Sequence, residues 1–364
     1  MVTMISNYSI EELCENNSNL LTSIRAIMLT DIYRTEDTIK KTKYAYGILI
    51  TFFVFLAFIN NFLCLYTLIL SKKIRITSLG IYLILYCIVS LITMIGIEID
   101  LINILYFDHN TSSTSYDFFA CSFLPVLIIS MASVSLWLST CVAIERILIE
   151  SSILQLFSSR KHSLIISIFL FLIISLSHIH RIFYRHIITN PLVNNLELCV
   201  FTPSSSTKII DNLVEMLHLL GPCLIHFLCA IWVLFRIVKH KIYLNYHIRT
   251  TPTQWLSIWK QQIYNHKDFF IPPLLIIICI MPHVIIFHLL ITCSDTLFRM
   301  RLNIILNFLV HIPEIFTFVI YIYPSKIYWE QFLQTKFGEL LRCYCCFTKV
   351  QDRNRKLYFS NNES

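Results

Sequence analysis

The chain has 364 residues, of which 56% are hydrophobic and only 14% charged, and its formal net charge is +7. A soluble globular protein carries about 25% charged residues, so this composition excludes an ordinary soluble domain. The chain also has only five glycines, too few for the turns of a soluble fold of this length. Most of its apolar residues are therefore expected to face lipid.

Seven long apolar runs dominate the sequence. About 20 apolar residues in a helix cross the hydrocarbon layer of a bilayer, and each run meets or approaches that length. Five runs contain no Asp, Glu, Lys or Arg, whereas the fifth contains Glu215 and the seventh contains Glu314. The runs are Ala45–Ser71, Ile76–Ile97, Phe118–Ile144, Ser163–Ile179, Asn212–Phe235, Phe269–Ser294 and Leu302–Ser325. They lack the period-two alternation of barrel strands, so they predict an all-α membrane protein, a seven-transmembrane helix bundle.

Three regions follow from this assignment. Residues 1–44 form an extracellular tail, residues 45–325 form the seven-transmembrane domain, and residues 326–364 form a cytoplasmic tail. The cytoplasmic tail begins with apolar residues at near-helical spacing beside basic ones, which predicts a short amphipathic helix lying in the interface. Three cysteines that follow it are suited to palmitoylation. These are Cys343, Cys345 and Cys346.

The basic residues predict the orientation. With the amino terminus outside, the cytoplasmic segments carry 19 Lys and Arg and the exterior segments carry 10. An excess of basic residues marks the cytoplasmic side. The first run alone gives no orientation, because three lysines precede it and three basic residues follow it. The positive net charge is then attributed to the inner leaflet, and we expect no nucleic-acid partner.

The predicted exterior segments carry modification signals. Glycosylation sequons begin at Asn7, Asn16 and Asn110. Exterior cysteines meet oxidising conditions, and a bridge between Cys121 and Cys199 would hold the loop before the fifth run over the mouth of the bundle. Free thiols at these positions are the alternative. A second bridge, between Cys14 and Cys293, is left open.

The third run carries a family resemblance. It begins near Cys121 and ends in Glu145-Arg146-Ile147, which resembles the rhodopsin-like, or class A, G-protein-coupled receptors, where a disulfide cysteine opens helix 3 and an Asp/Glu-Arg-Tyr triplet closes it. The 25 residues between Cys121 and Arg146 correspond to about 38 Å of helix. The cysteine and the arginine therefore lie at opposite faces of the membrane.

Other runs match the family in part, over roughly Tyr44 to Cys346. The matching segments are Asn60-Asn61, Pro222, Cys279-Ile280-Met281-Pro282 and Thr317-Phe318-Val319-Ile320-Tyr321. The family's sodium-binding aspartate in helix 2 corresponds to Ser90 here, and helix 5 has no tyrosine near Ala230. These departures resemble those of a divergent, invertebrate-type receptor.

The resemblance implies a plasma-membrane receptor that binds an extracellular ligand and activates a heterotrimeric G protein. It implies that Glu145, Arg146 and Tyr321 serve G-protein coupling, with Arg146 paired to Glu145 in the resting state. Placing the helices by the family pattern predicts a ligand cavity of mainly polar residues. These are Ile128, Glu215, His218, His283, Asn307 and His311.

The ligand itself is predicted only by class. Ionisable groups inside a membrane usually mark functional sites, and we expect Glu215 or Glu314 to neutralise a basic group on a peptide or chemosensory compound. The helix 3 wall is apolar at Ile128, which disfavours a small amine. The alternative is that these polar side chains make interhelical hydrogen bonds that hold the bundle together.

No catalytic motif, metal-binding framework or cofactor signature is found in the sequence, so we predict neither an enzyme nor a metal or cofactor site. Two other functions are left open. A secondary transporter usually shows internal repeats and glycine-interrupted helices. A seven-helix ligand-gated channel of the insect type has its amino terminus in the cytosol, so orientation distinguishes it from a receptor.

Overall fold

The fold is described from a computed structural model. It describes residues 36–75, 77–106, 116, 118–151, 159–189, 197–244, 260–261, 263, 267–286 and 297–342.

Eight labelled helices account for most of the described chain. They are α1 (Glu36–Leu70), α2 (Ser78–Tyr106), α3 (Leu124–Ser151), α4 (Arg160–His178), α5 (Ser205–Leu244), α6 (Lys267–His283), α7 (Leu297–Ile315) and α8 (Lys326–Leu333). Single helical turns at Lys72–Arg75 and His180–Phe183 follow α1 and α4, and π-helical turns at Phe119–Phe123 and Phe318–Ile322 precede α3 and follow α7.

Six of the helical segments in the described chain are long and apolar enough to cross a membrane. They are Tyr44–Leu70, Ser78–Asn103, Phe119–Ile149, Arg160–Phe183, Ser205–Arg236 and Lys267–Ile286. They correspond to the first six predicted runs, and the multi-pass character of the prediction is confirmed. The apolar part of α7 is shorter, Ile305–Ile315, so the seventh span stays a prediction.

The helices form a closed arrangement around α3. Helix α3 packs against α2, α4, α5 and α6, while α7 packs against both α6 and α1. Apolar side chains on the outside of the bundle are largely exposed, as on α4, where Phe169 is 62% and Ile165 63% exposed. Such faces suit lipid because the buried faces of the same helices already form the core.

A short β-hairpin interrupts the otherwise helical chain. Strand β1 (Arg185–Thr189) pairs with antiparallel β2 (Glu197–Phe201), with Ile187 opposite Cys199. A disulfide joins Cys199 to Cys121 at the start of the α3 segment. The hairpin is therefore fixed to one end of the bundle, which we call the hairpin end. The described chain is otherwise helical, so the all-α prediction is confirmed. The short strands lie in the predicted loop between the fourth and fifth runs.

The opposite end of α3 carries Arg146, and we call it the Arg146 end. Its core joins α1, α2 and α3 to the turn after α7 and to α8. Helix α8 buries Tyr328 and Phe332 in this core, and Phe332 packs edge-on against Phe318 with ring centroids 4.8 Å apart. Burial raises the pKa of the Tyr328 hydroxyl to about 12, so that side chain stays neutral.

Candidate functional site

Arg146 and Glu145 are both buried at the end of α3, but they contact different helices. Glu145 accepts a hydrogen bond from the Ser78 hydroxyl at the start of α2. Arg146 donates to the backbone carbonyl of Asp268, and its guanidinium lies 5.7 Å from the Phe269 ring centroid. The predicted Arg146–Glu145 pairing is therefore not the arrangement seen. Arg146 instead links α3 to the beginning of α6.

A crevice opens beside Arg146. It is narrow, since the roughly 300 Å³ of space between its lining atoms includes the gaps between those atoms and open solvent, and its walls come from α3, α5, α6 and the turn after α7. Tyr321 forms part of the wall, and its ring packs edge-on against Tyr86 of α2 with centroids 5.4 Å apart. Pro272 and Pro273 line the α6 side. Since four separate elements meet here, movement of α6 would change the width of the crevice.

His226 of α5 also lines this crevice and was missed in the sequence. Its Nε2 lies 3.0 Å from the hydroxyl of Ser139, which donates its hydrogen to the Leu136 carbonyl at 2.6 Å. The Ser139 hydroxyl therefore lies between the backbone of α3 and the imidazole of His226. His226 is 1% exposed, and this bond holds α5 against α3.

Two of the predicted ligand residues, Glu215 and His218, lie together on α5, but they face α4. Glu215 Oε2 is 2.8 Å from Arg181 Nη2. The same guanidinium donates through Nε and Nη2 to the two oxygens of Asp211 at 2.5 and 2.9 Å. Arg181 is 2% exposed. Glu215 and Asp211 therefore share one guanidinium, and the expectation that Glu215 offers a negative charge to a ligand stays a prediction.

His218 is held by hydrogen bonds from two helices. The indole Nε1 of Trp137 on α3 donates to His218 Nδ1 at 3.0 Å, and His218 Nε2 is 2.9 Å from the Ser177 hydroxyl on α4. An indole nitrogen only donates, so His218 Nδ1 is an acceptor and the imidazole is neutral. This arrangement matches the alternative interpretation, in which such residues hold the bundle together.

The predicted residues of α7 form a second group, which faces α3 and α1. Glu314 accepts a hydrogen bond from the Ser135 hydroxyl, and its Oε2 is 2.8 Å from His311 Nδ1. Asn61 of α1 donates to the Glu314 backbone carbonyl at 2.8 Å. Asn307, one turn before His311, is buried. A buried carboxylate therefore joins α7 to the middle of α3.

The other two predicted ligand residues are also buried. Ile128 packs in an apolar cluster with Met94 of α2 and Ile315 of α7. His283 is buried at the end of α6. The predicted cavity residues thus lie on α3, α5, α6 and α7, with Glu215 and His218 facing α4 and Glu314 facing α3.

Arg181 and Asp211 were missed as site residues because they lie at the flanks of apolar runs. Basic residues at such flanks usually reach the interface, so the position of Arg181 in the sequence does not predict a buried ion pair. One signal was available, since Asp211 and Glu215 are four apart and share a helical face. Two acids on one face of a membrane helix predict a buried cation on a neighbouring helix.

Several predicted sites lie outside the described residues. They are the sequon residues Asn7, Asn16 and Asn110, the tail cysteines Cys343, Cys345 and Cys346, and the second cysteine pair, Cys14 and Cys293. Within the part of the chain that the structure describes, no group of three or more metal-binding side chains is placed to hold a metal ion.

Comparison with known proteins adds no further assignment. No family model matches the chain, and no curated protein matches it with significance.

Proposed function

We propose that the chain is a rhodopsin-like G-protein-coupled receptor with seven membrane helices, located in the plasma membrane with its amino terminus outside. The observation that carries the proposal is the crevice beside Arg146, which opens between α3, α5, α6 and the turn after α7. A buried arginine at the rim of an opening between movable helices suits a binding site for a cytosolic partner. That partner is a heterotrimeric G protein.

The contacts of Arg146 suggest how the site is controlled. Its bond to the Asp268 carbonyl and its contact with Phe269 hold α6 close to α3. Helix α6 contains Pro272, Pro273 and Pro282, and proline inside a helix weakens its backbone hydrogen bonding and favours bending. Outward movement of α6 would release Arg146 into a wider crevice. The released guanidinium then contacts the G protein.

The ligand enters from the hairpin end in this proposal. The disulfide between Cys121 and Cys199 holds the hairpin beside α3, so the loop and the helix respond to a ligand together. Because Glu215 already contacts Arg181, a basic group on the ligand would compete with that guanidinium for the carboxylate. A peptide or a mainly apolar chemosensory compound fits this end best.

Replacement of Arg146 tests the proposal. The first step is to find an activating compound. Cells that express the chain and sensors of G-protein dissociation are screened with an unbiased library of peptides and metabolites. Arg146→Ala should then abolish the response while surface expression stays near that of the parent, because the guanidinium makes the contact with the G protein.

The matched control is Arg160→Ala, which removes an exposed arginine at the start of α4, on the same side of the bundle. This variant should respond like the parent. A full response from Arg146→Ala at normal surface expression would contradict the proposed mechanism.

A further inference from the structure

The outer face of α5 changes character where its membrane span ends. Leu217, Leu228 and Trp232 lie on this face and are 59%, 63% and 53% exposed. Arg236 and Lys239 continue the same face, because residues four and seven apart lie together on a helix, and both are exposed. The candidate span ends at Arg236. The face therefore presents apolar side chains, then an indole, then two cations, in the order in which a bilayer presents its acyl chains, its interface and its headgroups.

The guanidinium of Arg236 lies against the ring of Trp232. Its central carbon is 6.0 Å from the ring centroid, which is the range of a cation–π contact. Side chains on a helix lean toward its amino terminus, and α5 runs from the hairpin end to the Arg146 end, where Val233 lines the crevice. The guanidinium therefore points back toward the bilayer rather than away from it.

The contact with Trp232 leaves room for an anion. A guanidinium carries five N–H donors, and one aromatic ring does not occupy them all. Within the described residues, neither Arg236 nor Lys239 forms an ion pair. No Asp or Glu occurs from Met216 to Lys267, whereas this stretch contains six Lys or Arg. An anion for the two cations is therefore expected from outside this segment.

The basic residues at the start of α4 provide a contrast. Arg160 and Lys161 are exposed at the same end of the bundle. Here α4 enters the membrane rather than leaving it, so the same lean directs their side chains away from the bilayer. No aromatic ring in the described chain forms a cation–π contact with either of them. Charge alone is thus the same at the two places, and the difference lies in direction and in the ring.

We propose that Trp232, Arg236 and Lys239 form a binding site for an acidic phospholipid in the leaflet at the Arg146 end. The lipid phosphate accepts hydrogen bonds from Arg236, Lys239 attracts the remaining negative charge of the headgroup, and an acyl chain lies along Leu228. Phosphatidylcholine fits less well because its choline cation is repelled by the two basic side chains. This inference goes beyond the proposed function and does not rest on it, since it concerns only the lipid-facing side of α5.

Native mass spectrometry of the full chain in detergent tests the site, because it counts the lipids that stay bound. The chain is given equal amounts of phosphatidylserine and phosphatidylcholine with identical acyl chains, and the parent should retain phosphatidylserine preferentially. The double variant Arg236→Gln, Lys239→Gln should reduce this preference about 10-fold or more, since each basic residue near anionic lipid contributes a factor of about 5. Trp232→Leu should reduce it about threefold, because the ring no longer holds the guanidinium in place.

The matched control is the double variant Arg160→Gln, Lys161→Gln, which removes the same charge at the same end and should keep the preference of the parent. The unfolding temperature of each variant checks that it is folded. Water-soluble glycerophosphoserine, which lacks acyl chains, should not displace the bound lipid.

Three results would overturn the proposal. Equal retention of the two lipids by the parent would leave an acidic protein segment as the partner of these cations. An equal loss of preference in the α4 double variant, or none in Arg236→Gln, Lys239→Gln, would mean that overall charge and not this site selects the lipid. Displacement by glycerophosphoserine would mean that the ligand is a soluble anion rather than a membrane lipid.

Discussion

At the scale of single residues, charge balance decides what the polar side chains inside the bundle do. Glu215 and Asp211 lie four residues apart on one face of α5, and both contact Arg181. A buried ion pair is retained because removal of one partner leaves the other charge uncompensated. These carboxylates are therefore structural, and the cluster joins α4 to α5.

The sequence placed Glu215 and His218 on one helix but did not fix the direction in which their side chains point. The i, i+3 spacing fixes which side chains lie together on a helix. The rotation of α5 about its axis depends on its partners, here Arg181 and Trp137. No pattern within α5 specifies those partners, so both residues were assigned to the ligand cavity.

Replacing Arg181 should therefore be more damaging than replacing the whole cluster. Arg181→Met leaves two buried carboxylates without their cation and should lower the free energy of unfolding by about 3–5 kcal/mol. The triple variant Arg181→Met, Asp211→Asn, Glu215→Gln leaves no uncompensated charge and should recover much of that loss. Thermal unfolding of the purified chain measures both.

Arg160→Met, at the exposed start of α4, controls for loss of an arginine in general and should unfold like the parent. If the triple variant proves no more stable than Arg181→Met, charge balance is not what holds this cluster together.

At the scale of elements, the hairpin and α4 define one end of the bundle. The fourth span continues to Phe183, past the end of the predicted run at Ile179, because the chain makes a further helical turn at His180–Phe183 before β1. The extra turn brings Arg181 beside α5. Strand β2 then returns to the start of α3 through the disulfide at Cys199.

Replacing either cysteine of the disulfide should have the same effect on surface expression. The bond closes a separation of 78 residues, and removal of such a bond costs about 2–5 kcal/mol. Cys121→Ser and Cys199→Ser should each lower surface expression to a similar degree. The double variant should be little worse than either single one, because the two residues act as a unit.

Surface labelling of intact cells measures the effect, and Cys141→Ser, which replaces a half-buried free thiol of α3, should change little. Clearly additive losses in the double variant would mean that the two cysteines act independently.

At the scale of the whole molecule, the apolar runs predicted the membrane helices well. Six of the seven runs correspond to helices that are long and apolar enough to span a bilayer, because run length and the absence of charge are properties of sequence alone. The seventh run is divided. Helix α7 ends at Ile315, and a π-helical turn at Phe318–Ile322 follows it.

The packing of α7 supports its place in the bundle. It contacts α6 and α1 and buries Glu314 against Ser135 of α3. A helix between two neighbours that each span the membrane is itself expected to cross it. The total of seven spans, and the orientation that follows from it, are the central claim of this account.

Locating the two termini tests that claim most directly. Seven spans place the termini on opposite sides of the membrane, whereas six spans place them on the same side. Glycosylation of the amino-terminal tail shows that the tail lies on the exterior side. The combined Asn7→Gln and Asn16→Gln substitution should remove this glycosylation. Protease access to a carboxy-terminal tag in sealed microsomes shows on which side the carboxy terminus lies. We predict a glycosylated amino-terminal tail and a cytosolic carboxy-terminal tag. Both termini on one side, or an unglycosylated amino terminus in the cytosol, would contradict the account.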